Sequence, residues 1–181
     1  MAAIVRAFIA LEVPLEFEED AAVLARQLSA TVAGRFVPRE NYHVTLAFLN
    51  EIGEVEAAGA IAALETACDG LDCLELRPEG LGVFGRSSDG TLYLRLVETP
   101  ELASLAARIA EGLRGRGVPY DDSHEYHPHI TLARRAKMPK GELAGLAFPR
   151  PAVATRATLF KSTLSPEGAS YKPLYSVELG A

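Results

Sequence analysis

This chain of 181 residues has little of what marks metal-binding, secreted or membrane proteins. Its two cysteines, Cys68 and Cys73, are not spaced as in a Cys-x-x-Cys or zinc-finger motif, so idle thiols are the favoured interpretation. No apolar run approaches the roughly 20 residues that span a bilayer. The N-terminal residues do not combine a basic segment with a long apolar one, which predicts no signal peptide and a cytoplasmic location.

Basic residues are also scarce. The 18 lysines and arginines are outnumbered by 24 aspartates and glutamates, which gives a net charge of −6 and a pI near 5.3. Broad electrostatic binding of a nucleic acid needs many phosphate contacts, so this balance argues against it. A nucleic acid held at a single phosphate is not excluded, and its binding would depend on a small local basic patch.

Histidine is rare too, yet two of the 4 histidines each begin a copy of the same tetrapeptide motif. His-x-Thr-Leu occurs at residues 43–46 and again at 129–132, each time followed by alanine. From the composition, about 0.03 copies are expected, so a chance pair is improbable. A single histidine in a strand is most often structural, but the repetition favours a functional interpretation.

Strand geometry gives the motif a physical sense, because residues two apart point to the same face. His43 and Thr45 would share one face while their branched neighbours point into a core, and His129 and Thr131 would repeat the arrangement. The same strict alternation places Phe48 on the core side. It also places Arg134 on the face opposite His129, unless the strand ends or bulges there.

Two such strands side by side would suit a phosphodiester. A neutral histidine can take a proton from water while a protonated one donates to the leaving oxygen, each role contributing about 10²- to 10⁴-fold. Threonine hydroxyls can donate hydrogen bonds to the non-bridging oxygens. No metal or other cofactor is required, because an imidazolium supplies positive charge. A strained cyclic phosphate is the natural substrate for such a site.

The hydrophobic patterns predict an α+β fold with a mixed, mainly antiparallel sheet. Predicted helices cover 16–32, 55–67 and 100–114, and predicted strands cover 6–13, 41–49, 91–97 and 128–133. Residues 80–90, rich in glycine and serine, are expected to form a loop, and 153–164 with 171–179 a closing hairpin. The motif histidines lie 86 residues apart, one in each half, which suggests an internal duplication.

The chain resembles a known family in the segments 43–49 (HVTLAFL) and 127–134 (HPHITLAR), which look like the two signature motifs of the two-histidine phosphoesterases. Within that superfamily it is most similar to the bacterial and archaeal RNA 2′,3′-cyclic phosphodiesterases, the LigT-like 2′-5′ RNA ligases. Residues 6–11 look like that group's opening strand, and 159–164 with 171–174 like its closing hairpin. The resemblance implies a single domain, residues 1–181, of two intertwined lobes whose mainly antiparallel sheets line a central cleft, with helices packed outside.

The resemblance also implies an activity and the residues that perform it. A 2′,3′-cyclic phosphate at an RNA 3′ end would be hydrolysed to a 2′-phosphomonoester without metal, with weak reverse 2′-5′ ligation. Carried onto this sequence, His43 is the proton donor and His129 the proton acceptor, while Thr45 and Thr131 hold the phosphate. Arg134 looks like the family's arginine that contacts phosphate or nucleotide, although a solvated arginine is an equal alternative.

Other residues near the motifs remain open. Tyr42, Phe84 and Tyr126 are candidate base-stacking surfaces, with core packing the favoured role for each. His124, His127 and His129 could be interpreted as metal ligands, but that interpretation leaves the first motif unexplained. The favoured role of His127 is to orient His129 or to begin its strand, rather than to bind a metal.

Three functional alternatives compete with hydrolysis of RNA ends. Another two-histidine phosphodiesterase would act on a small cyclic phosphate or a 2′-5′ oligonucleotide. A non-catalytic module would bind the RNA end without consuming it, and a metal-dependent hydrolase would lose activity with chelator. The expected partner is RNA with a 2′,3′-cyclic phosphate end, including tRNA fragments, and the expected state is a monomer that binds neither membrane nor metal.

Overall fold

The computed structural model describes residues 4–180; residues 1–3, on which the signal-peptide expectation partly depends, and residue 181 lie outside the described part. Its elements are, in order, β1 (Val5–Glu12), α1 (Leu15–Ser29), β2 (Ala33–Phe36), β3 (His43–Ile52), α2 (Glu54–Cys68), β4 (Leu74–Leu76), β5 (Pro78–Arg86), β6 (Asp89–Leu96), α3 (Pro100–Gly115), β7 (His129–Lys137), β8 (Ala152–Ala154), β9 (Arg156–Ser165) and β10 (Gly168–Glu178). The three predicted helices, both motif strands and the closing hairpin are confirmed.

Helix α3 shows how local sequence defines these elements. It begins at Pro100, whose fixed φ suits a first helical position, and Thr99 caps it by accepting a hydrogen bond from the Leu102 N–H at 3.1 Å. Apolar residues at helical spacing form its buried face, namely Leu102, Leu105, Ala106, Ile109 and Leu113. This face packs against α2 and β3.

The strands form two four-stranded sheets and one small pair. The first sheet has the order β10-β9-β1-β3, the second β2-β7-β6-β5, and β4 pairs with β8. Every pairing described is antiparallel, so the expected mixture of parallel and antiparallel strands is not found within residues 4–180. Each large sheet carries one motif strand, which gives the two lobes of the predicted α+β architecture.

The topology repeats between the two halves. In the first half, β1 is followed by α1, by the short β2 and then by β3, which pairs antiparallel with β1. In the second half, β6 is followed by α3 and then by β7, which pairs antiparallel with β6. The motif occupies the start of the last strand in both units. This correspondence supports the internal duplication suggested by the two motifs.

The prediction of a loop over residues 80–90 is wrong. Most of this segment is β5, which pairs with β6 in a tight hairpin whose turn follows Arg86. Its glycines had suggested a loop, but Gly82 serves a packing purpose instead. It lies opposite Tyr93, and a Cβ on it would lie 2.6 Å from Cε2 of that tyrosine. Glycine is needed there because the Tyr93 ring lies across the strand.

A continuous core joins the sheets and helices. It is built from aliphatic side chains of the strands and of the inward faces of α1, α2 and α3. The motif strands are part of this packed scaffold, with their apolar residues in the core and their histidines on the other face.

No helix within residues 4–180 is long and apolar enough to cross a membrane.

Candidate active site

The first motif strand contains a β-bulge inside the motif. Thr45 and Ala47 oppose consecutive residues of β1, so that Leu46 is an extra residue on β3. Such a bulge shifts the alternation of side chains by one position. Leu46 and Ala47 are consequently both buried, while Phe48 is partly exposed and lines the cleft. The expectation that Phe48 faces the core is therefore wrong.

The second motif strand repeats this bulge at the same place. Thr131 and Ala133 oppose consecutive residues of β6, and Leu132 is the extra residue. The shift exposes Arg134, the counterpart of Phe48. Its guanidinium is close enough to lower the pKa of both motif histidines. Strict alternation would have placed Arg134 on the face opposite His129, and the bulge instead allows its guanidinium to approach the imidazoles.

Matching hydrogen bonds orient the two imidazoles. Nδ1 of His43 donates to the Asn41 carbonyl at 2.8 Å, and Nδ1 of His129 donates to the His127 carbonyl at 2.7 Å. Because a carbonyl only accepts, each Nδ1 carries the hydrogen and each Nε2 is left for a substrate. The Asn41 side chain also donates to the Ala169 carbonyl at 2.9 Å, which ties this segment to β10.

Burial governs the charge state of both histidines. It lowers the pKa of His43 to about 4, against a smaller rise from the carbonyl of Asn41 and with further lowering by His129 and Arg134. Burial also lowers the pKa of His129, to which the charges of His127 and Arg134 add. The two strands that carry these histidines, β3 and β7, contact each other. In the free protein both rings are neutral at pH 7.

Aromatic rings enclose each imidazole. For His43, the centroid of Phe8 lies at 4.7 Å with the planes inclined by 33°, and Tyr171 lies edge-on at 5.2 Å. For His129, Phe84 lies edge-on at 5.1 Å and Tyr93 at 5.2 Å. These rings exclude water and account for the burial that lowers the pKa values. Of these four rings, only Phe84 is a candidate from the sequence.

The two lobes share a cavity of about 1200 Å³. Its lining includes Thr45 and Phe48 from the first sheet, and Phe84 and His129 from the second. Thr131 lies opposite Tyr93, two positions along β7 from His129. Of the sequence-predicted residues, Thr45 and His129 line this cavity, one from each half of the chain.

The three candidate stacking residues have different environments. Tyr42 is 7% exposed and belongs to the core, as favoured from the sequence. Tyr126 is partly buried, and its hydroxyl has no hydrogen-bond partner within residues 4–180. Phe84 is 44% exposed on the cleft wall, so the expectation of core packing is wrong for it.

Of His124, His127 and His129, His127 has an orienting role through its backbone. The His127 carbonyl fixes the ring of His129, while the His127 side chain is exposed and 3.9 Å from Glu125. His124 is exposed. Among residues 4–180, no three histidine, cysteine or acidic side chains are grouped so that they could hold a metal ion.

Two lobes, each presenting a His-x-Thr motif to a shared cleft, define a class of protein, the two-histidine phosphoesterases. Comparison with known sequences specifies the family within it. Residues 10–161 match the family described as the 2′-5′ RNA ligase superfamily, and the chain belongs to that family.

Individual relatives and structures agree with this assignment. The chain is 30% identical to an RNA 2′,3′-cyclic phosphodiesterase of Thermotoga maritima, over 96% of this chain and 95% of that protein. It is 27% identical to a protein of the same name from Escherichia coli, over 93% of each. Its structure matches E. coli LigT complexed with 3′-AMP with a TM-score of 0.78, 25% identity and coverage of 99% and 100%. The fold also matches TT0787 of Thermus thermophilus, with a TM-score of 0.82, 24% identity and coverage of 96% and 97%.

Proposed function

We propose that this protein is a metal-independent RNA 2′,3′-cyclic phosphodiesterase that leaves a 2′-phosphomonoester. One observation carries the proposal: two imidazoles stand on contacting strands of different lobes, each with Nδ1 bonded to a backbone carbonyl and Nε2 left for the substrate. That is the arrangement that paired acid and base catalysis at a single phosphate needs. The activity named for the relatives in Thermotoga maritima and Escherichia coli agrees with it.

In the proposed reaction, the Nε2 of His129 takes a proton from a water molecule as its oxygen attacks phosphorus. The bond from phosphorus to the ribose 3′ oxygen breaks, and the Nε2–H of His43 protonates that oxygen. The pKa of about 4 makes protonated His43 a strong acid, although it is neutral in the free protein. An anionic phosphate in the cleft stabilises the imidazolium, so substrate binding raises that pKa.

The remaining site residues are assigned to substrate binding. The hydroxyls of Thr45 and Thr131 lie on the same strand faces as the histidines and would donate hydrogen bonds to the non-bridging oxygens. Arg134, whose charge reaches both imidazoles, supplies the local positive charge that a chain of net charge −6 requires. Phe48 lines the cavity on the His43 strand and would contact the terminal base there.

We propose that the chain forms one two-lobed domain and acts as a monomer, since both histidines come from the same chain. RNA 3′ ends, tRNA fragments among them, and a cytoplasmic location remain predictions from the sequence.

The test is a chelator-treated assay of a short RNA ending in a 2′,3′-cyclic phosphate. The wild-type protein should convert it to the 2′-phosphate, and His43→Ala or His129→Ala should each lower kcat/KM by about 10²-fold or more. Arg26→Ala is the control, because this residue is exposed on α1 and does not line the cavity.

Other outcomes separate the competing functions. A 3′-phosphate product would contradict the assignment of the 3′ oxygen as leaving group. Turnover of small cyclic phosphates alone would favour a different phosphodiesterase of the same superfamily. Binding without turnover would favour an RNA-end binding module, and loss of activity with chelator would contradict the metal-independent mechanism.

A further inference from the structure

The Phe84 ring is an exposed aromatic surface beside His129. One of its faces is covered by Tyr93, with ring centroids 4.2 Å apart and planes inclined by 23°. The residue nevertheless remains 44% exposed and lines the cavity shared by the two lobes. An exposed aromatic ring at the wall of a cleft is the form that base-stacking platforms take.

The backbone holds this platform in place. Tyr93 lies across Gly82, where a Cβ would leave no room for the tyrosine ring. Both Tyr93 and Phe84 contact His129, with centroids at 5.2 and 5.1 Å. The exposed part of the Phe84 ring therefore has a defined position relative to the imidazole that, in the proposed reaction, activates the nucleophile.

The mechanism assigns the two lobes to opposite sides of the phosphorus. In an in-line displacement, the attacking and leaving oxygens lie on opposite sides of the transferred phosphoryl group. The leaving 3′ oxygen belongs beside His43, so the terminal nucleoside belongs with Phe48 on that lobe. A base stacked on Phe84 would then belong to a second molecule, the one that supplies the attacking oxygen beside His129.

Charge specifies the end of that second molecule. The same cavity is lined by Glu98, Asp121, Asp122 and Glu125. These carboxylates disfavour a second phosphate, whereas a neutral 5′-hydroxyl nucleoside carries no charge to repel. The cavity volume of about 1200 Å³ also exceeds what one nucleotide requires.

We propose that Phe84, supported by Tyr93, is an acceptor subsite that binds the base of a 5′-hydroxyl nucleoside or RNA 5′ end, which then replaces water as the nucleophile. The proposal deepens the proposed function and rests on it. The 5′ oxygen forms a bond to phosphorus as the bond to the 3′ oxygen breaks. The 5′-hydroxyl proton passes to His129 and the His43 proton to the 3′ oxygen. The product is a 2′-5′ phosphodiester.

Product partitioning tests this assignment directly. An RNA with a 2′,3′-cyclic phosphate end is incubated with a 5′-hydroxyl dinucleotide, and the ratio of 2′-5′-linked product to 2′-phosphate is measured. Phe84→Ala and Phe84→Leu should lower that ratio on the order of 5- to 100-fold, the loss expected from unstacking one base. Phe84→Tyr should restore it. Because both products come from the same active molecules, partial unfolding of a variant does not change the ratio.

Two controls make the result specific to stacking. Phe148 is 43% exposed, nearly the same fraction as Phe84, and does not line the cavity, so Phe148→Ala should keep the wild-type ratio. Glycerol as acceptor carries no base, so its partitioning against water should be the same in wild type and Phe84→Ala.

Contrary results are distinguishable from failure of the proposed function. Hydrolysis that falls in Phe84→Ala with an unchanged product ratio would place the ring on the donor side and overturn the proposal. Hydrolysis by wild type without any linked product at millimolar acceptor would also overturn it. If the wild-type protein hydrolyses no cyclic phosphate, the proposed function itself is contradicted, and with it the basis of the acceptor subsite.

A binding measurement needs no activity. The chain contains no tryptophan, so Phe84→Trp would introduce a single indole at the platform. Adenosine should quench its fluorescence saturably, whereas Phe148→Trp should show no saturable change. Failure of adenosine to quench the folded Phe84→Trp variant would contradict the subsite.

Discussion

Acidification should destabilise the folded protein through His43. The pKa of this histidine is about 4 in the folded state and near 6.5 in an unfolded chain. Between these values the unfolded chain binds a proton at His43 that the folded protein does not bind. The stabilising contribution is therefore complete above pH 6.5 and is lost as the pH falls towards 4.

The size of the loss follows from the two pKa values. At pH 4.5 the proton-binding factor 1 + 10^(pKa − pH) is about 100 for the unfolded histidine and about 1.3 for the folded one, so the free energy of unfolding drops by about 2.5 kcal/mol. His129, whose pKa is also lowered, changes stability in the same direction. For a protein of ordinary stability, this is a large fraction of the total.

Urea unfolding followed by circular dichroism at pH 7.5 and 4.5 measures this term. Titrating carboxylates also contribute to the acid dependence, so wild type is compared with His43→Gln. The difference in unfolding free energy between the two pH values should be smaller in the variant by about 2.5 kcal/mol. His124→Gln, at an exposed position, should keep the wild-type difference. An equal pH dependence in wild type and His43→Gln would refute the reasoning.

Three further predictions follow from the same geometry. The pH profile of kcat/KM should be bell-shaped with its maximum below pH 6.5, because one histidine must be protonated and the other neutral while the pKa of each is lowered; a plateau extending to pH 8 would contradict this. Thr45→Val and Thr131→Val should each reduce kcat/KM roughly 10- to 150-fold through one lost hydrogen bond to a charged group, with the melting temperature as control for folding. Gly82→Ala should displace Tyr93 and lower kcat, whereas Gly115→Ala, where a Cβ would meet open space, should not; equal kcat values for these two glycine variants would argue against a supporting role for Tyr93.

Much of the fold could be predicted because its signals are local. The helical spacing of apolar residues marked α1, α2 and α3, and the repeated tetrapeptide marked both motif strands. The sequence missed β2, a short strand with little burial, and β5, whose glycines resemble those of a loop. The role of Gly82 depends on a tyrosine 11 positions away, so no local pattern could show it.

Strand alternation predicted the faces of the motif residues only as far as the bulges. His43 and Thr45 share a face, as do His129 and Thr131, because nothing interrupts the pattern within two residues of either histidine. Phe48 and Arg134 lie beyond the bulges, which arise from the pairing of whole strands and leave no mark in the motif itself. Phe84 and Tyr171 come from other strands, and only the assembled sheets bring them to the imidazoles.

The bulges at Leu46 and Leu132 also bear on the direction in which a substrate enters. Two lobes with identical histidine and threonine pairs would form a site with no polarity, in which a cyclic phosphate could bind in either of two opposite orientations with equal energy. The bulges change the face on which the fifth residue after each histidine lies, and there the halves differ. Phe48 lines the cavity, whereas the Arg134 guanidinium lies close enough to affect both imidazoles. Together with the different rings beside each imidazole, this pair of positions makes the duplicated site asymmetric, so that one orientation of the substrate is favoured.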